Sequence, residues 1–219
     1  MIRKEVYIVG GGTSLRGFDW NLLTNKDTIV INKSIFYVSY PTYFVTTDYS
    51  FIIKISNEVL KFREIKCPKF IAVGFSARSE DNDNLYMKEE GGRIIDSRRG
   101  FVYDLKDFNV IIKSYIKEGI GYTWDDFRTG WNSGHSALQL AVLLGYKEIH
   151  LLGIDFTIDS LDSFHFHEGY LSSNFPKKVD EFHNSFVNAI KNIKEHTHID
   201  IISRSSISRL NEIIPYIKL

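Results

Sequence analysis

Cysteine is all but absent from this sequence: Cys67 stands alone, which excludes an internal disulfide and suits a reducing, cytoplasmic setting. An excess of charge of one sign is missing as well. Lys plus Arg and Asp plus Glu number 27 each, so no overall positive field draws the chain to nucleic acid or to an anionic membrane. A nucleic-acid partner is therefore not expected. Long apolar runs are lacking too: the N-terminal stretch MIRKEVYIVGGG is too short in its apolar part for a signal peptide or a membrane span. Internal repeats, low-complexity tracts and linkers do not occur.

What is present is a globular balance, with 43% hydrophobic, 25% charged and 14% aromatic residues in 219 positions. That length suits one domain, residues 1–219, able to bury most of its apolar surface unaided. Six apolar runs end in turn residues: EVYIVG, DTIVIN, PTYFVTTD, KFIAVG, KEIHLLGID and IDIIS. Both faces of each run are mostly apolar, the pattern of buried strands in a parallel sheet. Helical spacing separates several of them. SGHSALQLAVLLG sets Ala137, Leu140, Ala141 and Leu144 on one face, with Asn132 or Ser133 as its cap and Gly145 as its stop. Phe175 to His196 reads as a long helix and Ser206 to Ile217 as a terminal one. The expected fold is α/β, a single-domain Rossmann-like, mainly parallel sheet with helices on both faces. Residues 76–130 break this rhythm and read as an irregular excursion, a lid over the site or a solvated loop.

The turn after the first run, VGGGTSLRGFDW, brings backbone amides close to a ligand because glycine carries no Cβ, and anions suit such a place. Gly10 and Gly12 fit the nicotinamide fingerprint, but its third glycine position holds Leu15, and Asn32 ends the second strand where an acidic residue would grip ribose. A Walker loop is excluded by Phe18 and Asp19, which stand where Lys and Ser or Thr are required. A phosphate or nucleotide remains the favoured ligand. Asn32 and the Thr46-Thr47-Asp48 strand end place polar side chains at the same edge of the sheet, where doubly wound folds bind ligands.

In the second half, the Asn132-Ser133-Gly134 helix start is a further anion site. Asp155 follows the next strand, and then come His165 and His167, two residues apart and on one face if that segment is extended. Such a pair could share a metal, with Asp155 or Glu168 as third ligand, or a substrate oxygen. No compact set of four ligands is visible, so metal ligation is not expected. A histidine beside a phosphate crevice is a natural proton carrier.

Together VGGGTSL, the IVIN strand end, NSGHSALQLAVLLGYKEIHLLGIDF and the histidine pair resemble the bacterial sialyltransferase family typified by Campylobacter lipooligosaccharide enzymes. They are similar too to a broader set that includes phage-encoded proteins and an archaeal pterin diphosphokinase. The resemblance implies a nucleotide-binding α/β domain that transfers a sugar from a CMP-type donor to a glycan or other hydroxyl acceptor, with inversion and without a required metal. It implies that Gly10, Gly11, Gly12, Thr13 and Ser14 face the donor phosphate and ribose, and that Asn32 contacts the nucleotide. Asn132, Ser133 and Gly134 would line its base or sugar, His167 (or else His165) would be the base, and Ser205 and Ser206 would supply further phosphate contacts.

The chain also departs from that pattern. Gly11 stands where the family has Asn, and the nine residues between Asp155 and His165 hold no tyrosine, so the family's lid is absent or replaced by Ser76 to Gly100 with Arg93, Arg98 and Arg99. Two other readings stay open: a diphosphate transferase using Mg²⁺ held by Asp48, Asp155 or nearby carboxylates, and a non-catalytic nucleotide-binding module. A homo-oligomer is compatible with the sequence.

Overall fold

The structure, a computed structural model, describes residues 4–48, 50–75, 87–91, 93–96, 101–115, 117–130, 132–157, 165 and 175–219. Its centre is an eight-stranded, wholly parallel sheet. In chain order the strands of this sheet are β1 (Glu5–Val9), β2 (Thr28–Ile31), β3 (Tyr43–Thr46), β4 (Lys69–Phe75), β8 (Val110–Tyr115), β9 (Phe127–Arg128), β10 (Glu148–Leu152) and β11 (Asp200–Ser203). Three more, β5 (Met87–Glu90), β6 (Arg93–Asp96) and β7 (Phe101–Asp104), form a separate antiparallel sheet.

The spatial order β11-β10-β1-β2-β3-β4-β8-β9 puts β1 between β2 and β10. The chain leaves β1 toward β2 and returns much later on the other side as β10. That reversal opens a crevice at the carboxyl ends of β1 and β10, the place where open parallel sheets bind ligands.

Helices and helical turns cover both faces. On one face, α3 (Ser133–Leu143) and α4 (Phe175–His196) bury Ala137, Leu138, Leu140, Ala141, Phe186, Ala189, Ile190 and Ile193 against Val6, Ile8, Ile29, Val45 and Ile149 of the sheet. On the other, the short helices α1 (Phe51–Lys54) and α2 (Val59–Glu64) and the 3-10 turns press Phe51, Phe62, Ile35 and Leu23 onto Tyr7, Val9, Val30, Phe44 and Ile71. Alternation along each strand supplies both cores at once, which is why the runs read as apolar on both sides. α3 is buried almost all round. Its polar Gln139 answers to protein, with Oε1 accepting from Gly121 and Arg128 N–H and Nε2 donating to the Gly121 and Asp126 carbonyls.

Two expectations change. The described residues of 76–130 include five strands where an irregular excursion was expected: β8 and β9 extend the main sheet, and β5 to β7 pair with one another. Their sequence hides this because MKEE and RIID show neither strict alternation nor a full apolar run. Residues 206–217 do not form an α-helix. Ser208 caps a single 3-10 turn, Arg209–Glu212, and the chain then runs beside β11, where Ser203 N–H donates to the Pro215 carbonyl at 2.9 Å and Ile217 N–H to the Ser203 carbonyl at 3.0 Å. Pro215 cannot donate in a helix interior, and β11 offers its unpaired edge instead. Among the described residues, no helix is long and apolar enough to cross a membrane.

Candidate active site

The crevice at the ends of β1 and β10 holds about 680 Å³ of empty space, the open solvent at its mouth included. Gly10, Gly11 and Gly12 form its floor after β1, and Ile31 with Asn32 one side after β2. Asn132, Ser133 and Gly134 close it from the start of α3. Gly153 to Thr157 border it after β10, with His165 and Phe182 completing the wall.

Local chemistry explains why the chain takes this shape. Gly10 N–H donates to the Leu152 carbonyl and Gly12 N–H to the Gly153 carbonyl, each at 2.8 Å. A Cβ on Gly10 would overlap the Gly153 carbonyl, and one on Gly12 would overlap the Asp155 carboxylate. These two glycines are therefore required for close contact between the β1 and β10 ends. Both line the crevice, as expected from the sequence, but their amides are engaged within the protein.

Asp155, only 4% exposed, closes the same joint. Its carboxylate accepts from Ser14 N–H at 2.9 Å and from the Ser14 hydroxyl at 2.7 Å. Ser34 adds a third tie, its hydroxyl donating to the Gly10 carbonyl at 2.5 Å. Ser208 adds a fourth, donating to the Ile154 carbonyl at 2.8 Å.

The backbone donors of the opposite wall come from α3. An α-helix leaves its first N–H groups without intrahelical partners. Here the Asn132 side chain caps His135 N–H at 2.8 Å, and Asn132 N–H itself donates to the Thr129 carbonyl. The Ser133 and Gly134 amides remain as the helix's positive pole at the crevice. The Ser133 hydroxyl does not reach into open space: it accepts from Thr47 N–H and lies 3.0 Å from the Thr47 hydroxyl, which joins β3 to α3.

Among the described residues His165 is the histidine that lines the crevice, with Nδ1 3.3 Å from the Gly11 carbonyl. A carbonyl can only accept, so Nδ1 carries the proton and Nε2 the lone pair. Burial pushes the imidazole pKa below its ordinary value, and the Gly11 carbonyl opposes that in part. At neutral pH the ring is accordingly the uncharged, proton-accepting form. His167 lies outside the described residues, as do Arg98 and Arg99. Among the described residues that line the crevice there is no Lys or Arg.

Several residues expected at the site stand elsewhere. Asp48 does not line the crevice; its carboxylate accepts from Ser50 N–H and hydroxyl and pairs with Lys54 at 2.6 Å. Thr13 is buried in the turn but does not line the crevice either. Ser205 is buried, its carbonyl accepting from Ser203 and Asn211, and Ser206 is exposed; neither lines the crevice. Phe156, Thr157 and Phe182 line it without having been picked out from the sequence. Phe182 belongs to the apolar stripe of α4, so nothing in its spacing sets it apart from core. Phe156 has a left-handed φ of 53°, which no sequence pattern announced. The Thr157 hydroxyl is buried and has no hydrogen-bond partner among the described residues.

One group of three potential metal ligands occurs among the described residues, Glu5, Glu148 and His150, and none of them lines the crevice. Cations already hold it: Lys26 pairs with Glu5 at 2.7 Å, and Arg204 Nε donates to His150 Nδ1 at 3.1 Å. With Nδ1 as acceptor, Nε2 carries the proton; it lies 2.8 Å from the Glu148 carboxylate without hydrogen-bond geometry to it, so no lone pair of the ring is set to ligate a metal there.

A parallel α/β sheet with a ligand crevice at its switch point defines the class of fold. No protein-family model and no curated protein matches the chain. Solved structures do, sialyltransferases among them, in keeping with the resemblance seen in the sequence. The sialyltransferase CST-II, in complex with a trisaccharide acceptor and CMP, matches with a TM-score of 0.58 and 18% identity over 97% of this chain and 85% of that one. CstII from Campylobacter jejuni with the substrate analogue CMP-3FNeuAc gives 0.54 and 17% over 99% and 86%. The same enzyme with cytidine-5'-monophosphate gives 0.55 and 18% over 99% and 86%. The chain thus shares the fold of these enzymes.

Proposed function

We propose that this protein is a glycosyltransferase that holds a nucleotide-activated sugar of the CMP type in the β1–β10 crevice and passes the sugar to a hydroxyl acceptor by direct displacement. The observation that carries the reading is the pairing of an open helix N-terminus with a neutral histidine in one crevice. A sugar-nucleoside phosphodiester carries a single negative charge. The Ser133 and Gly134 amides and the helix pole suit one such charge, whereas a diphosphate brings a second and calls for a cation. The similar structures contain CMP or a CMP-linked substrate analogue, and one a trisaccharide acceptor, which favours the same ligand class.

In this reaction the acceptor oxygen attacks the anomeric carbon while the bond from that carbon to the phosphate oxygen breaks. CMP leaves with the bonding electrons, and the acceptor proton passes to His165 Nε2. The Gly11 carbonyl keeps the ring in the tautomer that can take it. The α3 N-terminus stabilises the charge that grows on the departing phosphate. No metal is needed in this scheme. The carboxylates of the diphosphate-transferase reading are engaged, Asp48 by Ser50 and Lys54 and Asp155 by Ser14. A cytoplasmic enzyme fits the buried Cys67 thiol, whose pKa burial pushes up to about 11.

The test is a thermal-shift screen with CMP, UMP, GMP, ATP and their sugar conjugates, followed by turnover assays. CMP or a CMP-sugar at a hundredfold over its Kd should raise the melting temperature by about 5–10 °C. His165→Ala should keep that shift and lose turnover by about 10²–10⁴-fold. Loss confined to His167→Ala would move the base to that residue. Binding without turnover of any sugar conjugate would make the protein a nucleotide-binding module, and a shift with ATP alone, abolished by EDTA, would favour diphosphate transfer.

A further inference from the structure

Thr46, the last residue of β3, does not line the crevice. Thr46 is fully buried. Its hydroxyl accepts from Asp48 N–H at 3.0 Å, so the hydroxyl hydrogen is directed elsewhere, and it is donated to Asn32 Oδ1 at 2.7 Å. That direction decides how the Asn32 side chain sits. A flipped amide would turn its NH2 onto the remaining lone pair of the hydroxyl and leave the buried Thr46 hydroxyl hydrogen without the acceptor that Oδ1 provides. Asn32 Oδ1 therefore faces Thr46, and Nδ2 is the group left to donate to a ligand. The backbone strengthens the constraint. Asn32 has a φ of 50°, a left-handed conformation that most side chains avoid and Asn tolerates, at the first residue of the 3-10 turn Asn32–Phe36.

We propose that Thr46 is a positioning residue for nucleotide recognition: through its hydroxyl it locks the Asn32 amide with Nδ2 presented to a hydrogen-bond acceptor on the nucleoside. This inference rests on the nucleotide reading above for its ligand, and on the Asp48–Thr46–Asn32 chain for its geometry. The acceptor group is a ring carbonyl or ring nitrogen of a pyrimidine, or a ribose hydroxyl oxygen. A base that offers only donors to Asn32 meets a repulsive contact that the amide relieves only by stranding the Thr46 hydroxyl hydrogen, so discrimination depends on Thr46 as well as on Asn32.

The experiment combines NMR of the Asn32 side-chain amide with calorimetric titration of the whole protein by CMP and by ribose 5-phosphate. Thr46→Val keeps the side-chain shape and removes the hydroxyl; Thr46→Ser restores it. In the unliganded protein, Thr46→Val should shift or broaden the Asn32 NH2 signals, identified by their loss in Asn32→Asp, and Thr46→Ser should return them. CMP binding should weaken roughly five- to tenfold in Thr46→Val, recover in Thr46→Ser, and show no further loss when Thr46→Val is added to Asn32→Asp. Weakening for CMP alone places the acceptor on the base, and equal weakening for ribose 5-phosphate places it on the ribose. Unchanged amide signals in a folded Thr46→Val protein overturn the inference whether or not CMP binds, as does unchanged CMP affinity. Absence of CMP binding by the unmodified protein, with the amide signals responding as expected, overturns the nucleotide reading while leaving the Thr46–Asn32 lock in place.

Discussion

Gly12 shows how one residue of the crevice floor is also committed to the packing beneath it. Its missing Cβ makes room for the Asp155 carboxylate, and its amide ties β1 to β10 at 2.8 Å. Gly12→Ala forces that carboxylate away from Ser14, and a cost of about 1–3 kcal/mol is expected from overpacking, read as a lowered melting temperature and a weaker CMP-induced shift. His165 makes the complementary residue-scale prediction. Its pKa lies below the ordinary histidine value because it is buried, so the base form persists at neutral pH and is lost as pH falls through that lowered pKa. The acid limb of a kcat/KM profile for sugar transfer should accordingly fall at a pH below about 6.5. A limb at or above that value would assign the proton to another group.

At the scale of elements, α3 joins two functions in one helix start. Asn132 Oδ1 caps His135 N–H at 2.8 Å, while its Nδ2 donates to the Gly130 carbonyl at 3.1 Å and holds the preceding turn. Asn132→Ala should cost about 0.5–2 kcal/mol of stability as a lost cap. It should also weaken CMP binding beyond the stability effect, because the Ser133 and Gly134 amides lose their fixed direction; Asn132→Asp, which still caps, should recover the stability. Urea unfolding and calorimetric titration of both variants separate the two contributions. The end of α3 was readable from the chain alone: Gly145 takes a φ of 83° where the helix stops. Its all-round burial was not, because Ser136, Gln139 and His135 are polar residues satisfied by the 119–132 segment, and no periodicity reports which partners will be there.

At the scale of the molecule, histidines shielded from solvent contribute to the response to acid. His135 is fully buried between the Gly119 carbonyl and the Ser185 hydroxyl, and burial pushes its pKa down to about 4. His150 and His183 are lowered as well, each by burial first and by Arg204 or Arg209 next. A histidine whose folded pKa lies below its unfolded value binds fewer protons when folded, so its stabilising share is intact above the unfolded pKa and is lost as pH falls. For His135 the loss runs from pH 6.5 to about 4 and amounts to about 3 kcal/mol over the full window. The urea midpoint should therefore drop across that range, and His135→Gln should flatten the drop. An unchanged slope in that variant would remove His135 as its source.

The amino-acid sequence determined the parallel sheet, the two principal helices and the edge at which polar strand ends gather, because these follow from local spacing: apolar runs of strand length, a 3.6-residue stripe, an Asn cap and a glycine stop. Tertiary structure alone decided which face each group serves. Gly10, Gly12, Ser14 and Asp155 read as ligand contacts, and besides bordering the crevice in three of the four cases they hold β1 to β10, since a donor is claimed by whichever acceptor folding brings nearest. The Thr46 hydroxyl, unremarkable in a run of threonines, gains its role only when β2 and β3 lie side by side and Asp48 N–H fixes where its hydrogen goes.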